Sequence, residues 1–335
     1  MYDPGTLYED PILTNFSVGY QSQVLVGERL LPVTPVNTQS GRYRVYDRSA
    51  WLLYKSRREP GTVANEISGG KWSEDTFMTE EHSLQSPIFD EERQQLTSQG
   101  GLANPTFGGD LQLDPEMDAT AMVTEALLLE HEKKVADLVR DAASYDPGNV
   151  HGALGATEKW DYQDPATYTG DPVAVIRTGM RVIYGATGRW PNTLLIPRIG
   201  ATYIETHPKI TDRFVNFALV MPDAFRQLTG FEGTILLAES SYNSADNIDS
   251  PESITSFWEK DVWLGIVDPN PALRTKTFGK TFAQLYPNGQ TRPVDRWREE
   301  PRKADIVRAS YKYDMKIISD VAGYLIADAF AAAAW

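Results

Sequence analysis

The stretch from Gly27 to Asp90 has few means of folding by itself, and so it constrains what the whole chain can become. Two extended arms are predicted, Arg42 to Tyr54 and Trp72 to Phe89, joined by a polar turn region from Glu59-Pro-Gly through Ser68-Gly-Gly-Lys71. Tyr43, Val45, Tyr46, Trp51, Tyr54 and Phe77 interleave with charges, which is the chemistry of strands. A two-stranded ribbon is marginal in water, and a structureless loop of this length is uncommon inside a compact domain. A long hairpin without its own core is expected to lie on something else, and a second copy of the same chain is the first candidate. That points to an assembling subunit rather than a pocket enzyme.

The charges are segregated along this hairpin. The first arm and turn carry Arg42, Arg44, Arg48, Lys55, Arg57 and Arg58, and the second arm carries Glu74, Asp75, Glu80 and Glu81. These are the candidate inter-subunit contacts, because complementary charge fixes orientation and register between partners. The alternative is that the arms neutralise each other across their own ladder. The residues alone leave both open.

The length is enough for a sizeable core and for about two domains. No apolar run approaches the ~18 residues of a membrane span, so no membrane partner is expected. The N-terminus lacks the basic and apolar regions of a secretory signal. With no cysteine, disulfides, thiolate metal sites and cysteine nucleophiles are excluded. The net charge of −14, from 46 acidic and 32 basic residues, argues against a dedicated nucleic-acid binder. It does not exclude a protein that sits near packed DNA without adhering to it, where repulsion would be useful.

Residues 1–40 read as an extended arm punctuated by Pro4, Pro11, Pro32 and Pro35, with an apolar cluster from Val24 to Pro32 that docks on a neighbour or on the chain's own body. After Gly100-Gly101 and Gly108-Gly109 comes the clearest helix. Asp114 is placed as its cap, Pro115 as its first residue, and Glu116 and Asp118 at the positive end of its dipole. Met117, Ala121, Thr124, Leu128, His131, Val135, Leu138 and Ala142 recur at spacings of three and four, widened by Leu127 and Val139. Glu130 and Lys134 form a favourable pair on the other side. The helix is predicted over 115–144, a rod of about 45 Å ended by Asp146-Pro-Gly148. Short elements follow: a helix from Asp171-Pro172 to about Tyr184, a strand at Thr193–Ile196, a helix to Thr206, and another from Pro222-Asp223. Strands are predicted at Thr234–Ala238, Val262–Val267, Thr277–Leu285 and Ile306–Ile318, with Ser240 to Ser253 as a polar loop. The class is α+β.

Catalytic chemistry is scarce. His131-Glu132-Lys-Lys-Val135 begins like a helical zinc-protease motif but lacks the second histidine, and His131 lies on the apolar stripe as a core residue. His82, His151 and His207 are scattered, and no ligand-spaced carboxylate cluster stands out. Gly185-Ala-Thr-Gly188 is too short for a dinucleotide fingerprint. No catalytic residue, metal or cofactor is assigned, and the chain is not read as an enzyme.

The order of parts (arm, long hairpin, long helix, mixed central region, returning strand) resembles the major capsid proteins of tailed double-stranded-DNA bacteriophages, which have the Hong Kong 97-type fold. Arg29-Leu-Leu-Pro-Val-Thr-Pro-Val36 with Gly41-Arg-Tyr43 is similar to the lead into that family's extended loop. Trp190-Pro-Asn-Thr-Leu-Leu-Ile196 with His207-Pro-Lys-Ile210 resembles the opening of its axial domain, and Trp263-Leu-Gly-Ile-Val267 with Pro269 to Phe282 the strand pair near its end.

The resemblance implies a domain plan. Residues 1–40 would be an N-terminal arm, 41–90 the extended loop, and 91–170 a peripheral domain with its spine helix. Residues 171–300 would form an axial domain, with Ser240–Ser253 near its ring centres, and 301–335 a return strand and tail. It also implies a homo-oligomer of hexamers and pentamers enclosing double-stranded DNA without sequence-specific binding. Scaffold, portal and decoration proteins are implied partners, the virion is the implied location, and the host cytoplasm is the implied place of assembly. Met1 leads almost directly into the arm, so a separate scaffold or none is expected. Lys55 and Lys71 are the hairpin's lysines, and no cross-link through them is expected. An encapsulin-type nanocompartment shares the fold and is the alternative.

Overall fold

The computed structural model describes residues 8–9, 13–14, 17, 25–46, 53, 56–61, 63–64, 66, 72–91, 115–161, 169–211, 223–243, 254–258, 260–270 and 276–331. A short N-terminal strand, β1 (Tyr8–Glu9), precedes a single helical turn, α1 (Gly27–Leu30), and β2 (Val33–Val36). The hairpin region contains β3 (Ser40–Tyr46), β4 (Trp72–Met78) and β5 (Glu80–Phe89). The long helix α2 (Pro115–Arg140) follows, then β6 (Val150–His151), α3 (Pro172–Thr187), β7 (Thr193–Pro197), α4 (Arg198–Thr206) and α5 (Pro208–Thr211). The remainder is α6 (Asp223–Thr229), β8 (Thr234–Ala238), β9 (Ser241–Asn243), β10 (Ile254–Ser256), β11 (Val262–Gly265), β12 (Gly279–Gln284), β13 (Val294–Glu299), β14 (Ala304–Ile317) and β15 (Gly323–Ile326).

Two sheets organise these elements. The first is built on the 14-residue strand β14, with β5 antiparallel along one edge and β13 and β12 end to end along the other. β2 extends it in parallel beside β12, and β1 caps β13. Helix α2 lies across β5 and β14. There Leu13, Ile88, Ala119, Val123, Leu127, Val294, Val307 and Ala309 form a compact core. The second sheet has the order β6-β15-β11-β7-β8. Its β7, β11 and β15 are buried at every position, as expected of apolar runs covered on both sides. Helix α3 packs so closely that a Cβ at Gly179 would sit 2.7 Å from the Tyr324 ring. Asp171 caps α3 by accepting from Val173 and Ala174, and Gly188, at φ 68°, ends it in the left-handed region. Residues 329–330 are strapped down: Phe330 stands edge-on to Trp160, and the Trp160 backbone amide donates to the Ala329 carbonyl.

Several expectations are corrected. The long helix keeps α-helical bonding for 26 residues, about 39 Å, and ends at Arg140. Asp141 and Asp146 then each cap a short 3-10 turn, because their carboxylates accept amides two residues on. Asp114 lies outside the described residues. The buried face is also rotated: Met117 and Ala142 are exposed, whereas Ala119, Val123, Ala136 and Glu132 turn inward. The N-terminal arm is not wholly extended, since Val26, Leu30 and Leu31 are buried in the chain's own core around α1. Strand β13 was not anticipated; the charges of Asp295, Arg296 and Arg298 disguise an edge that pairs fully with β14.

Candidate inter-subunit surface

Only part of the 41–90 segment is a two-stranded ribbon. β3 and β4 pair from Ser40↔Met78 to Tyr46↔Trp72. At Thr79 the second arm leaves its partner, and β5 continues as a strand of the body sheet, from Glu80↔Tyr313 to Phe89↔Ala304. Thr79 makes the hand-over. Its amide and hydroxyl donate to the Gln39 carbonyl at 2.8 and 3.1 Å.

Strand alternation gives the ribbon two unlike faces. One face carries Gly41, Tyr43 and Phe77 and is turned to the body. Phe77 stacks on Phe282 with centroids 4.6 Å apart, and Tyr43 leans on the same ring at 5.3 Å. Gly41 is required beneath that stack, because a Cβ there would lie 2.6 Å from the Phe77 ring. The Tyr43 hydroxyl donates to Asp75 at 2.6 Å, and the Asp314 carboxylate accepts the Met78 amide at 2.9 Å. The Tyr43 bond is the main cause holding the Asp75 carboxyl below its usual range. Burial, followed by Asp75, pushes the Tyr43 phenol up.

The other face is exposed. Arg42 pairs with Glu74 at 3.3 Å, and the Arg44 guanidinium lies 4.4 Å over the half-exposed Trp72 ring. Cross-strand neutralisation is therefore observed at Arg42–Glu74. Arg57 and Arg58 are exposed, and Arg48 and Lys55 lie outside the described residues. Glu80 and Glu81 are on the body sheet rather than the ribbon. There Glu81 pairs with Lys312 at 3.3 Å and accepts from the Tyr286 hydroxyl at 3.3 Å.

Polar groups from distant segments fix β5 at both of its ends. Asp90 takes a bidentate pair of bonds from Arg298, both at 2.6 Å, and Arg296 reaches Glu116 at the start of α2 at 2.6 Å. His82 on β5 leans on Tyr313, with ring centroids 4.6 Å apart, and lies 3.3 Å from Glu130. Glu130 in turn holds Lys134 at 3.0 Å, the pair expected from the sequence. His131 is buried against Tyr311 and Tyr313. Burial, helped by Arg292 and Lys134, pushes its pKa down to about 3.

Glu132 was missed as a structural residue. It is 1 % exposed, and its carboxylate accepts from the Val26 and Gly27 amides, the Ser240 hydroxyl and the Trp258 indole. One side chain thus ties the N-terminal arm, α2 and the β9–β10 hairpin together. Burial raises its pKa against those four bonds. Its position four residues after Leu128 and three before Val135, on the apolar stripe, was the signal available. The foot of the predicted Ser240–Ser253 loop therefore sits beside α2, with Tyr242 stacked on Phe257 and Arg140 paired to Asp261 at 2.6 Å. Residues 244–253 lie outside the described residues.

Among the described residues no group of His, Asp and Glu is placed to hold a metal ion, and no helix is long and apolar enough to cross a membrane. No protein-family model matches the chain. By structure, a phage-related protein of Bordetella bronchiseptica superposes with a TM-score of 0.70 at 24 % identity, over 96 % of this chain and 97 % of its own. The capsid of cyanophage P-SCSP1u superposes at 0.52 and 11 % identity, over 92 % and 89 %. The encapsulin SrpI of Synechococcus elongatus does so at 0.52 and 10 %, over 95 % and 93 %. The fold is thus the Hong Kong 97-type α+β fold of phage capsids, as the order of parts implied. By sequence, the chain is similar to the major capsid protein of Burkholderia phage BcepMu, 28 % identical over 325 residues and 95 % of each chain. It is also similar to that of Pseudomonas phage JBD67, 27 % identical over 258 residues and 74 % of each. The resemblance to phage major capsid proteins is borne out.

Proposed function

We infer that this chain is the shell-forming subunit of a phage head, a structural protein rather than an enzyme. The observation that carries the reading is the ribbon β3–β4. It is anchored to its own body on one face and presents Arg42, Arg44, Trp72 and Glu74 to solvent on the other. The end-to-end likeness to the BcepMu capsid protein supports it. In this reading the ribbon β3–β4 overlies an adjacent subunit, α2 is the spine of a peripheral domain that also holds β5, β12, β13 and β14, and the sheet β6-β15-β11-β7-β8 with α3 surrounds the ring centres as an axial domain. The arm is clamped at Val26 and Gly27 through Glu132, and Ala304–Ile317 return along the body as β14. Hexamers and pentamers close a virion shell around double-stranded DNA, assembled in the host cytoplasm. The net charge of −14 lets that DNA be packed without adhesion. Portal, scaffold and decoration proteins are the expected partners. The likeness to an encapsulin rests on fold alone, whereas the sequence likeness is to phage capsid proteins, which favours the phage reading.

The test is deletion of residues 56–70, viewed by negative-stain electron microscopy beside the intact chain. The intact protein should give closed particles or rings, and the deletion a folded body that does not close shells. Normal particles from the deletion would refute the ribbon's part in assembly. Protein cargo instead of nucleic acid inside native particles would favour the encapsulin.

A further inference from the structure

From Pro172 to Ile204 this acidic chain has no Asp or Glu at all, while Arg177, Arg181, Arg189 and Arg198 fall within the same run. The structure gathers much of that charge on one face. The solvent stripe of α3 presents Arg177, Arg181 and Tyr184, three to four residues apart, all exposed. Beyond the Gly188 turn the chain returns Trp190 onto Tyr184, with centroids 4.9 Å apart and planes at 23°. The two rings remain 47 % and 54 % exposed. Arg189, next to Trp190 in the chain, lies 3.8 Å from Asp268, and Lys276 donates to the Thr187 carbonyl at the end of α3. Arg177 is steadied by a bond to the Leu228 carbonyl at 2.5 Å.

A stacked Tyr–Trp pair left in water, on the same helix stripe as Arg181 and Arg177 and next in the chain to Arg189, has the composition of an interface centre, where Tyr, Trp and Arg dominate binding. An acidic partner is required to match it. Free nucleic acid fits less well than another protein surface, because the remainder of the molecule repels phosphate. A second copy supplies matching chemistry: on the exposed stripe of α2, Asp118 and Glu125 flank Met122, which is itself 59 % exposed. A thioether against aromatic rings, with carboxylates against guanidiniums, is a favourable pairing. Two different faces that complement each other make a head-to-tail contact, the type that closes rings.

We propose that the Arg177–Arg181–Tyr184–Trp190 face of α3 docks onto an acidic face of a second copy of this chain, steering subunits together despite their net negative charge. The proposal rests on the shell-subunit reading above. To test it, p-benzoylphenylalanine is placed at position 184 of the full chain and irradiated during assembly, with Arg181→Glu and Arg181→Gln compared in parallel by light scattering. The expected product is a covalent dimer joined to an acid-bearing peptide of the second copy. Arg181→Glu should slow assembly about tenfold at low salt, with Arg181→Gln between it and the parent and the gap closing as salt screens the charges. Both variants should keep the parent's circular dichroism and melting temperature, since Arg181 is on the surface. Cross-links only to nucleic acid or only within one chain would overturn the proposal, as would parental assembly rates in Arg181→Glu. If the parent forms shells while those results fail, the docking face alone is wrong. If the parent self-associates neither alone nor with a scaffold protein added, the shell reading fails with it.

Discussion

Residues 72–78 and 80–89 are one extended run interrupted only at Thr79, yet the two halves are held by different means. The proximal half, β5, lies between β14 and α2 and buries Ser86 and Ile88. Every register position from Glu80 to Phe89 has a partner in the body. The distal half, β4, pairs with β3 alone among the described strands and has one buried side chain, Phe77. A two-stranded ribbon with one aromatic anchor is near the limit of stability in water. The first half therefore takes its order from the subunit itself. The second keeps most of its surface unspent, which is what a contact between subunits needs.

The comparison predicts its largest effect in the proximal half. Ile88 packs with Val123, Leu127 and Val307 at the junction of strand and helix. Ile88→Ala removes buried methyl and methylene groups where little can collapse to fill the gap, and should cost about 3 kcal/mol of global stability. Urea denaturation should show a lower midpoint with an unchanged slope. A variant with parental stability would mean that β5 is no more integrated than β4.

How much of this was legible beforehand follows the same division. The ribbon's existence could be read from Tyr43, Val45 and Phe77 alternating with charges, and the buried strand at Thr193–Pro197 from its unbroken apolar run. His131 was placed correctly in the core because its spacing from Thr124, Leu128 and Val135 follows the helical period. The hand-over at Thr79 was not legible, since nothing between Trp72 and Phe89 marks a change of partner; β14, far along the chain, decides it. The rotation of the α2 face was hidden for a related reason. Glu132 turns inward only because donors at Val26, Gly27, Ser240 and Trp258 are folded around it.

A smaller, pH-dependent effect separates the two halves again. His131 and His82 share the Tyr311–Tyr313 pair beside β5, with Glu130, Lys134 and Arg292 as the charged neighbours. Both imidazoles are pushed down chiefly by burial, His131 to about 3 from 6.5. The folded state therefore refuses a proton that the unfolded chain accepts. Stability is full above pH 6.5 and is lost as pH falls through the window toward 3. Asp75 on the ribbon is also depressed, so its contribution persists until pH drops below the usual carboxylate value of 3.8. Mild acid should thus lower the melting temperature through these histidines while the Tyr43–Asp75 bond survives. Thermal melts between pH 7 and 4 check this, and His131→Phe should flatten the profile. An unchanged slope in that variant would assign the acid sensitivity elsewhere.

The last prediction concerns the anchor itself. Phe77 is the one deeply buried side chain among the described residues of the ribbon, stacked on Phe282 above Gly41. In a globular core, Phe→Ala costs about 3–5 kcal/mol, and that loss appears in global unfolding. Here the cost should be felt locally, because β3 and β4 can separate from Phe282 without disturbing β14 or α2. Amide exchange in residues 40–46 and 72–78 should accelerate by about ten- to a hundredfold, while residues 80–89 and the melting temperature stay near parental values. Exchange that accelerates equally on both sides of Thr79 would show one cooperative unit and erase the distinction. If the distinction holds, the ribbon opens and closes on a body that stays folded, and a neighbouring subunit can select its closed form at little cost to either molecule.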